Sequence, residues 1–197
     1  MDAIERIRAE RLVAVLRRVA DVDAVVDVLA GAGVGVVEVT MDDPGAAAAI
    51  ERLRRRGDVA VLAGTVRTAG DVDDAAAAGA EACVSPTYAD AVVARCRELG
   101  LPAIPGALTP TEVEAAWRAG VALVKLFPGS LGGPRYVREL LAPLADVPLL
   151  VTGGISADNA ADYLRAGAAA VGAGSSLSGA PDLDAEARRL VAAVRSA

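Results

Sequence analysis

Eight short apolar runs alternate along the chain with amphipathic stretches, and that alternation limits the fold more than any other feature. The runs are residues 12–16, 34–40, 59–64, 80–85, 102–105, 121–127, 147–152 and 168–174. Glycine or proline punctuates them, and each is too short for a globular helix. Between them, residues 22–32, 44–56, 88–99 and 111–119 carry apolar residues at helical spacing with charges on the other face. Asp21, Asp43 and Ser156 stand where helix N-caps are expected, and Pro44 and Pro134 where a first turn tolerates proline. The charged, amphipathic start of the chain predicts an N-terminal helix ahead of the first run. Strands alternating with helices predict a parallel sheet, and eight such units predict closure into an α/β (β/α)8 TIM barrel. At 197 residues the chain is near the lower limit for that fold. We expect residues 1–197 to form a single domain whose core needs no disulfides.

Four of the runs repeat one plan. In each, a glycine that ends a helix is followed by a strand. Glu38, Val84, Lys125 and Gly172 fall at the same offset from Gly33, Gly79, Gly120 and Gly167. These are the second, fourth, sixth and eighth runs, and alternate strands of such a barrel contribute to one interior layer. The offset therefore predicts that the four side chains share a layer. Glu38 and Lys125 then point toward one another across the barrel, and Gly172 leaves room beside them. A slip of one residue would turn all of them outward.

Two absences sharpen this reading. The chain has no histidine, and of its 20 basic residues Lys125 is the sole lysine. The net charge of −6 argues against a nucleic-acid partner. Arg54, Arg55 and Arg56 read as the solvated end of a helix. Cys83 and Cys96 lie in apolar segments and read as buried, reduced thiols. With no histidine and two dispersed cysteines, no metal and no other cofactor is expected. No apolar run reaches membrane length and the N-terminus lacks a signal-peptide core, so a cytoplasmic protein without a membrane partner is expected.

The candidate chemistry gathers at the ends of the runs. A lysine in an apolar interior is costly when charged, and burial favours the neutral, nucleophilic amine. Lys125 is thus a candidate nucleophile, and an ion pair with Glu38 is compatible with that role. Without histidine, Glu38 is the best-placed general base. Glycine clusters follow the seventh and eighth runs, at Gly153–Gly154 and at Gly172, Gly174 and Ser175. Loops at those two positions commonly bind phosphate in this fold; each cluster also reads as a tight turn. Thr65 could bind a carboxylate or cap the next helix. Ser85 and Pro86 complete the rim, and Arg17 could clamp an anion or be solvated.

Taken in order, Glu38-Val39-Thr40, Ala63-Gly64-Thr65-Val66, Val84-Ser85-Pro86, Ile104-Pro105-Gly106, Lys125-Leu126-Phe127-Pro128, Thr152-Gly153-Gly154-Ile155 and Gly174-Ser175 resemble the 2-keto-3-deoxy-6-phosphogluconate aldolase / 4-hydroxy-2-oxoglutarate aldolase family. The resemblance runs through nearly the whole chain. It implies a class I aldolase acting on a 2-keto acid, with Lys125 as the Schiff-base lysine and Glu38 as the acid/base. It implies substrate contacts from Arg17, Thr65, Pro86, Phe127 and Thr152, and phosphate contacts from Gly153, Gly154, Gly174 and Ser175. It implies a cytoplasmic homotrimer without metal, working in the Entner–Doudoroff route. Thr152 is similar to the gluconate-type members. One position departs: many members carry an arginine where this chain has Asp42. Arg17 is expected to substitute, and Asp42 to face solvent or an arginine with little effect on removal. Three alternatives stand beside this reading. They are an aldolase with another aldehyde partner, a phosphate-binding isomerase or epimerase without covalent catalysis, and a noncatalytic barrel that binds a phosphorylated ligand.

Overall fold

The computed structural model describes residues 1–197. Helix α1 (Ala3–Glu10) precedes β1 (Leu12–Leu16), and strands and helices then alternate. The order is α2 (Val22–Gly31), β2 (Val36–Thr40), α3 (Ala46–Arg56), β3 (Ala60–Gly64), α4 (Ala69–Ala77), β4 (Cys83–Val84), α5 (Asp90–Glu98) and β5 (Ala103–Ile104). It continues with β6 (Gly106–Ala107), α6 (Pro110–Arg118), β7 (Val124–Leu126), α7 (Gly133–Leu141), β8 (Leu149–Thr152), α8 (Ala160–Arg165), β9 (Ala170–Ala173), α9 (Ser175–Ser178) and α10 (Leu183–Arg195). Every strand pair is parallel, in the order β5-β4-β3-β2-β1-β9-β8-β7-β6.

The two ends of that order are joined by the chain itself. Only Pro105 separates β5 from β6, so the nine segments are eight staves with the fifth interrupted. Proline has no N–H for a ladder. Its carbonyl accepts from the Lys125 N–H at 2.8 Å, while Ile104 accepts from Ser85 at 3.0 Å on the other side. One continuous strand was expected over 102–105; the structure instead hands the stave from one neighbour to the other at the proline.

The barrel interior is layered as the fold requires. Val36, Ala82, Leu123 and Ala170 belong to the interior cluster, each two residues before Glu38, Val84, Lys125 and Gly172. Val13, Leu62, Ile104 and Leu150 from the intervening staves fill the next level. Ala3, Ile4 and Ile7 of α1 join the same cluster, so this helix plugs the end of the barrel away from the strand C-termini. A capping box starts α1: Asp2 accepts from the Glu5 N–H at 2.8 Å and Glu5 from the Asp2 N–H at 3.1 Å. The outer helices pack onto the strands through a second apolar layer.

Two expected caps are corrected. Asp43 accepts from the Gly45 N–H at 2.9 Å, which closes a turn ahead of α3, and the N-cap position is Gly45. Pro44 accordingly lies before the helix. Ser156 does not cap α8 either; its own N–H donates to Asn159 Oδ1 at 2.9 Å. Asp21 does cap α2, accepting from Ala24 at 3.0 Å, and Pro134 lies in the first turn of α7. The arginines at the end of α3 pair outward, Arg54 with Glu81, Arg55 with Glu51, and Arg56 with Asp27 and Asp58. Cys83 and Cys96 are buried and unbridged, but they are not dispersed. Cys96 stands beside Cys83, and that contact together with burial pushes the Cys83 thiol far above its ordinary value.

Candidate active site

The sixth stave carries Lys125 in the middle of β7, and the second carries Glu38 in the middle of β2. Lys125 Nζ lies 3.3 Å from Glu38 Oε1, with the two side chains only 7% and 1% exposed. Glu38 Oε2 is buried with no hydrogen-bond partner. Removing two charges from water is expensive, and an ion pair offsets that only when every remaining polar atom is satisfied. This pair leaves one carboxylate oxygen open, so stability alone does not explain it.

Glycines make room for these side chains. A Cβ at Gly64, the last residue of β3, would lie 2.3 Å from Glu38 Oε1. Any larger residue there would displace the carboxylate. A Cβ at Gly172 would lie 2.6 Å from Thr152 Oγ1, so the room at Gly172 is taken by Thr152 rather than by the Lys125–Glu38 pair itself. Thr152 Oγ1 is also buried without a partner. On the rim, the Phe127 ring centroid is 5.6 Å from Lys125 Nζ. Such a ring face favours a cationic nitrogen modestly.

The loop after β8 turns through two left-handed glycines, Gly153 at φ 98° and Gly154 at φ 75°. A Cβ on Gly153 would crowd the Phe127 ring at 3.3 Å, and one on Gly154 would lie 2.6 Å from the Ser130 Cβ. Asn159 braces the loop, donating to the Gly154 carbonyl at 2.9 Å while accepting from Ser156. The amides of Gly153, Gly154 and Ser175 donate to no acceptor within the protein. Gly174 is the N-cap of α9 and supplies no side chain to its first turn. Free amides at adjacent stave ends form a surface suited to an anion.

The sequence pattern of KDPG and KHG aldolases matches residues 3–194. The chain belongs to this aldolase family. The 2-dehydro-3-deoxy-phosphogluconate aldolase of Haemophilus influenzae is 38% identical over 165 residues, covering 82% of this chain and 78% of that protein. The 2-dehydro-3-deoxy-6-phosphogalactonate aldolase of Escherichia coli K12 is 35% identical over 175 residues, covering 84% of this chain and 83% of that protein. Among solved structures, the KDPG aldolase of Legionella pneumophila was captured with pyruvate as a covalent carbinolamine intermediate. It superposes with a TM-score of 0.83 at 25% identity, over 100% of this chain and 98% of that one.

The remaining candidate residues of this aldolase lie on the rim. Thr65 is not the cap of α4; Thr68 is, in a capping box with Asp71. Thr65 instead takes a left-handed backbone, φ 59°, and its hydroxyl accepts from Arg17 Nη2 at 3.0 Å. Arg17 Nη1 pairs with Asp42 Oδ2 at 2.7 Å, and Arg18 stands 3.7 Å from the same oxygen. Burial acts to raise the Asp42 carboxyl. The neighbouring Thr40 hydroxyl and the Arg17 and Arg18 charges outweigh it and hold the group below its ordinary value.

Pro86 sits against β6, where a Cβ at Gly106 would lie 2.2 Å from its carbonyl. Pro86, Tyr88, Gly106 and Phe127 border a cavity of about 310 Å³ on one side of the rim. Met41, Asp42, Thr65 and Arg67 border one of about 380 Å³ on another. Neither cavity includes Lys125 or Glu38, whose buried charges and open oxygen lie deeper in the barrel. Gly64 and Gly106 stand within the motifs that carry the family resemblance, but neither was expected to make room for another group. The available signal was a glycine at the end of an apolar strand run, which marks close approach of another group. No three His, Cys, Asp or Glu side chains converge on one point.

Proposed function

We propose that this chain is a class I aldolase in which Lys125 forms a Schiff base with a 2-keto acid. Its substrate is 2-dehydro-3-deoxy-6-phosphogluconate, cleaved to pyruvate and glyceraldehyde 3-phosphate, with 4-hydroxy-2-oxoglutarate as a second substrate. The observation that carries the reading is the buried Lys125–Glu38 contact of 3.3 Å with one glutamate oxygen left open. The carbinolamine captured in the Legionella relative supports it.

The mechanism follows from these two groups. Lys125 passes a proton to Glu38, the freed amine attacks the C2 carbonyl, and water leaves as Glu38 returns the proton. The iminium that results is an electron sink. Glu38 takes the proton of the C4 hydroxyl, the C3–C4 bond breaks, and its electrons enter the iminium to give an enamine. The aldehyde departs, C3 is protonated, and hydrolysis returns pyruvate and free Lys125. Thr65 and Arg17 hold the keto-acid carboxylate, with Pro86, Phe127 and Thr152 around the reacting carbons. Gly153, Gly154, Gly174 and Ser175 hold the phosphate through backbone amides. Residues 1–197 act as one domain, and the family resemblance supports a homotrimer in the cytoplasm. No helix is long and apolar enough to cross a membrane.

A galactonate-type substrate is the second reading, favoured by the similar identity of the Escherichia coli relative. The resemblance of Thr152 to the gluconate-type members supports the gluconate form. A panel of phosphorylated and unphosphorylated 2-keto-3-deoxy acids, assayed for pyruvate release with and without a chelator, tests both. We expect the phosphorylated gluconate-derived acid to be cleaved fastest and chelation to leave the rate unchanged. Faster cleavage of the galactonate-derived acid would reverse the substrate assignment. Activity lost on chelation and restored by one divalent ion would remove Schiff-base catalysis as the whole explanation.

A further inference from the structure

We infer that Asp42 is a positioning residue, which holds Arg17 so that the Thr65 hydroxyl is presented to the keto-acid carboxylate. The inference rests on the proposed Schiff-base reading and adds a residue to it. Three features that do not favour stability converge here. Arg17 is 54% exposed, yet both terminal nitrogens are engaged, one by Asp42 at 2.7 Å and one by Thr65 at 3.0 Å. An exposed ion pair adds little to folding, and fixing a long side chain opposes it. Asp42 Oδ1 is buried with no well-formed hydrogen bond, since the Thr40 hydroxyl beside the carboxylate donates to the Leu16 carbonyl at 3.4 Å, a cost that a solvated side chain would avoid. Thr65 is a β-branched residue at φ 59°, a conformation seldom adopted by such a side chain and one that collects at functional sites.

The chemistry of the contacts explains why all three are kept. A guanidinium only donates, so the Thr65 hydroxyl must accept from Arg17, and its own proton is then free to be donated. Thr65 directly follows Gly64, which abuts Glu38, so the residue that carries this hydroxyl adjoins the wall of the reacting centre. Asp42 cannot bind a carboxylate itself. By neutralising one side of Arg17 it fixes the direction of the planar fork, while Arg18 at 3.7 Å keeps the local balance cationic. The expectation that Asp42 faces an arginine fits this geometry. The inference replaces the expectation that its loss matters little, and steady-state kinetics decide between the two.

The test is steady-state kinetics on Asp42→Asn, Asp42→Glu, Arg17→Ala and the Arg17→Ala/Asp42→Asn double variant with one keto-acid substrate. Borohydride trapping of pyruvate on the unaltered protein runs alongside, with thermal melting of each variant. We expect Asp42→Asn to raise KM about tenfold, the scale of one lost charge-assisted contact, with kcat within about twofold and melting unchanged. Asp42→Glu restores most of the affinity, and Asp42→Asn adds nothing once Arg17 is gone. An unchanged KM in Asp42→Asn, or an equal rise with and without Arg17, overturns the inference. So does a fall in kcat and melting temperature together, which is the mark of a structural role. Trapping in the unaltered protein with a silent Asp42→Asn sinks this inference alone; absence of trapping sinks the Schiff-base reading and this inference with it.

Discussion

Replacing Lys125 with methionine is expected to reduce pyruvate release to the uncatalysed background. Methionine keeps the length and apolar stem but removes the nitrogen, and without it no iminium forms to accept the electrons of the C3–C4 bond. With one lysine in the chain, no other side-chain amine can take its place. The substitution also leaves the Glu38 carboxylate buried beside an apolar group, and breaking a buried pair costs roughly 3–5 kcal/mol. The rate is therefore to be measured at a temperature where circular dichroism shows the variant folded. Substantial cleavage by folded Lys125→Met protein would move the covalent chemistry elsewhere.

Glu38→Gln is expected to lower turnover by roughly two to four orders of magnitude, the scale of a general acid–base group. Glutamine fills the same volume against Gly64 and can still meet Lys125 Nζ, so the variant keeps the fold while losing the proton shuttle. The carboxylate has the geometry for both tasks: Oε1 contacts the lysine at 3.3 Å and Oε2 has no partner to release. The loss should appear in kcat more than in KM, because proton transfer belongs to the transition state. Stopped-flow or coupled pyruvate assays resolve this, and a variant with full turnover would assign the proton transfers to another group.

The parts of this site that were legible in the sequence are those that depend on register. Glu38 and Lys125 sit five residues after glycines that end helices, and in a barrel that offset sets both height and direction. Their meeting across the interior follows from backbone geometry that every residue shares. The break at Pro105 was not legible, because the run 102–105 looks like any buried strand and nothing local reveals which neighbour each half will pair with. The caps at Asp43 and Ser156 failed for a related reason. A short polar side chain near a helix start can close a turn with its own neighbour, as Asp43 does with Gly45, and only the path of the loop decides. Asp42 is the clearest case. Its charge was plain, but its function depends on Arg17 from one stave and Thr65 from another, contacts that no spacing along the chain encodes.

The most direct measurement is intact-mass analysis of the unaltered protein after incubation with pyruvate and borohydride, followed by peptide mapping. Reduction of a Schiff base should add one stable increment per chain and place it on Lys125. The N-terminal amine of Met1 is the sole competitor, and it lies outside the barrel. Modification confined to Met1, or no adduct at saturating pyruvate, would contradict the assignment of Lys125 as the nucleophile.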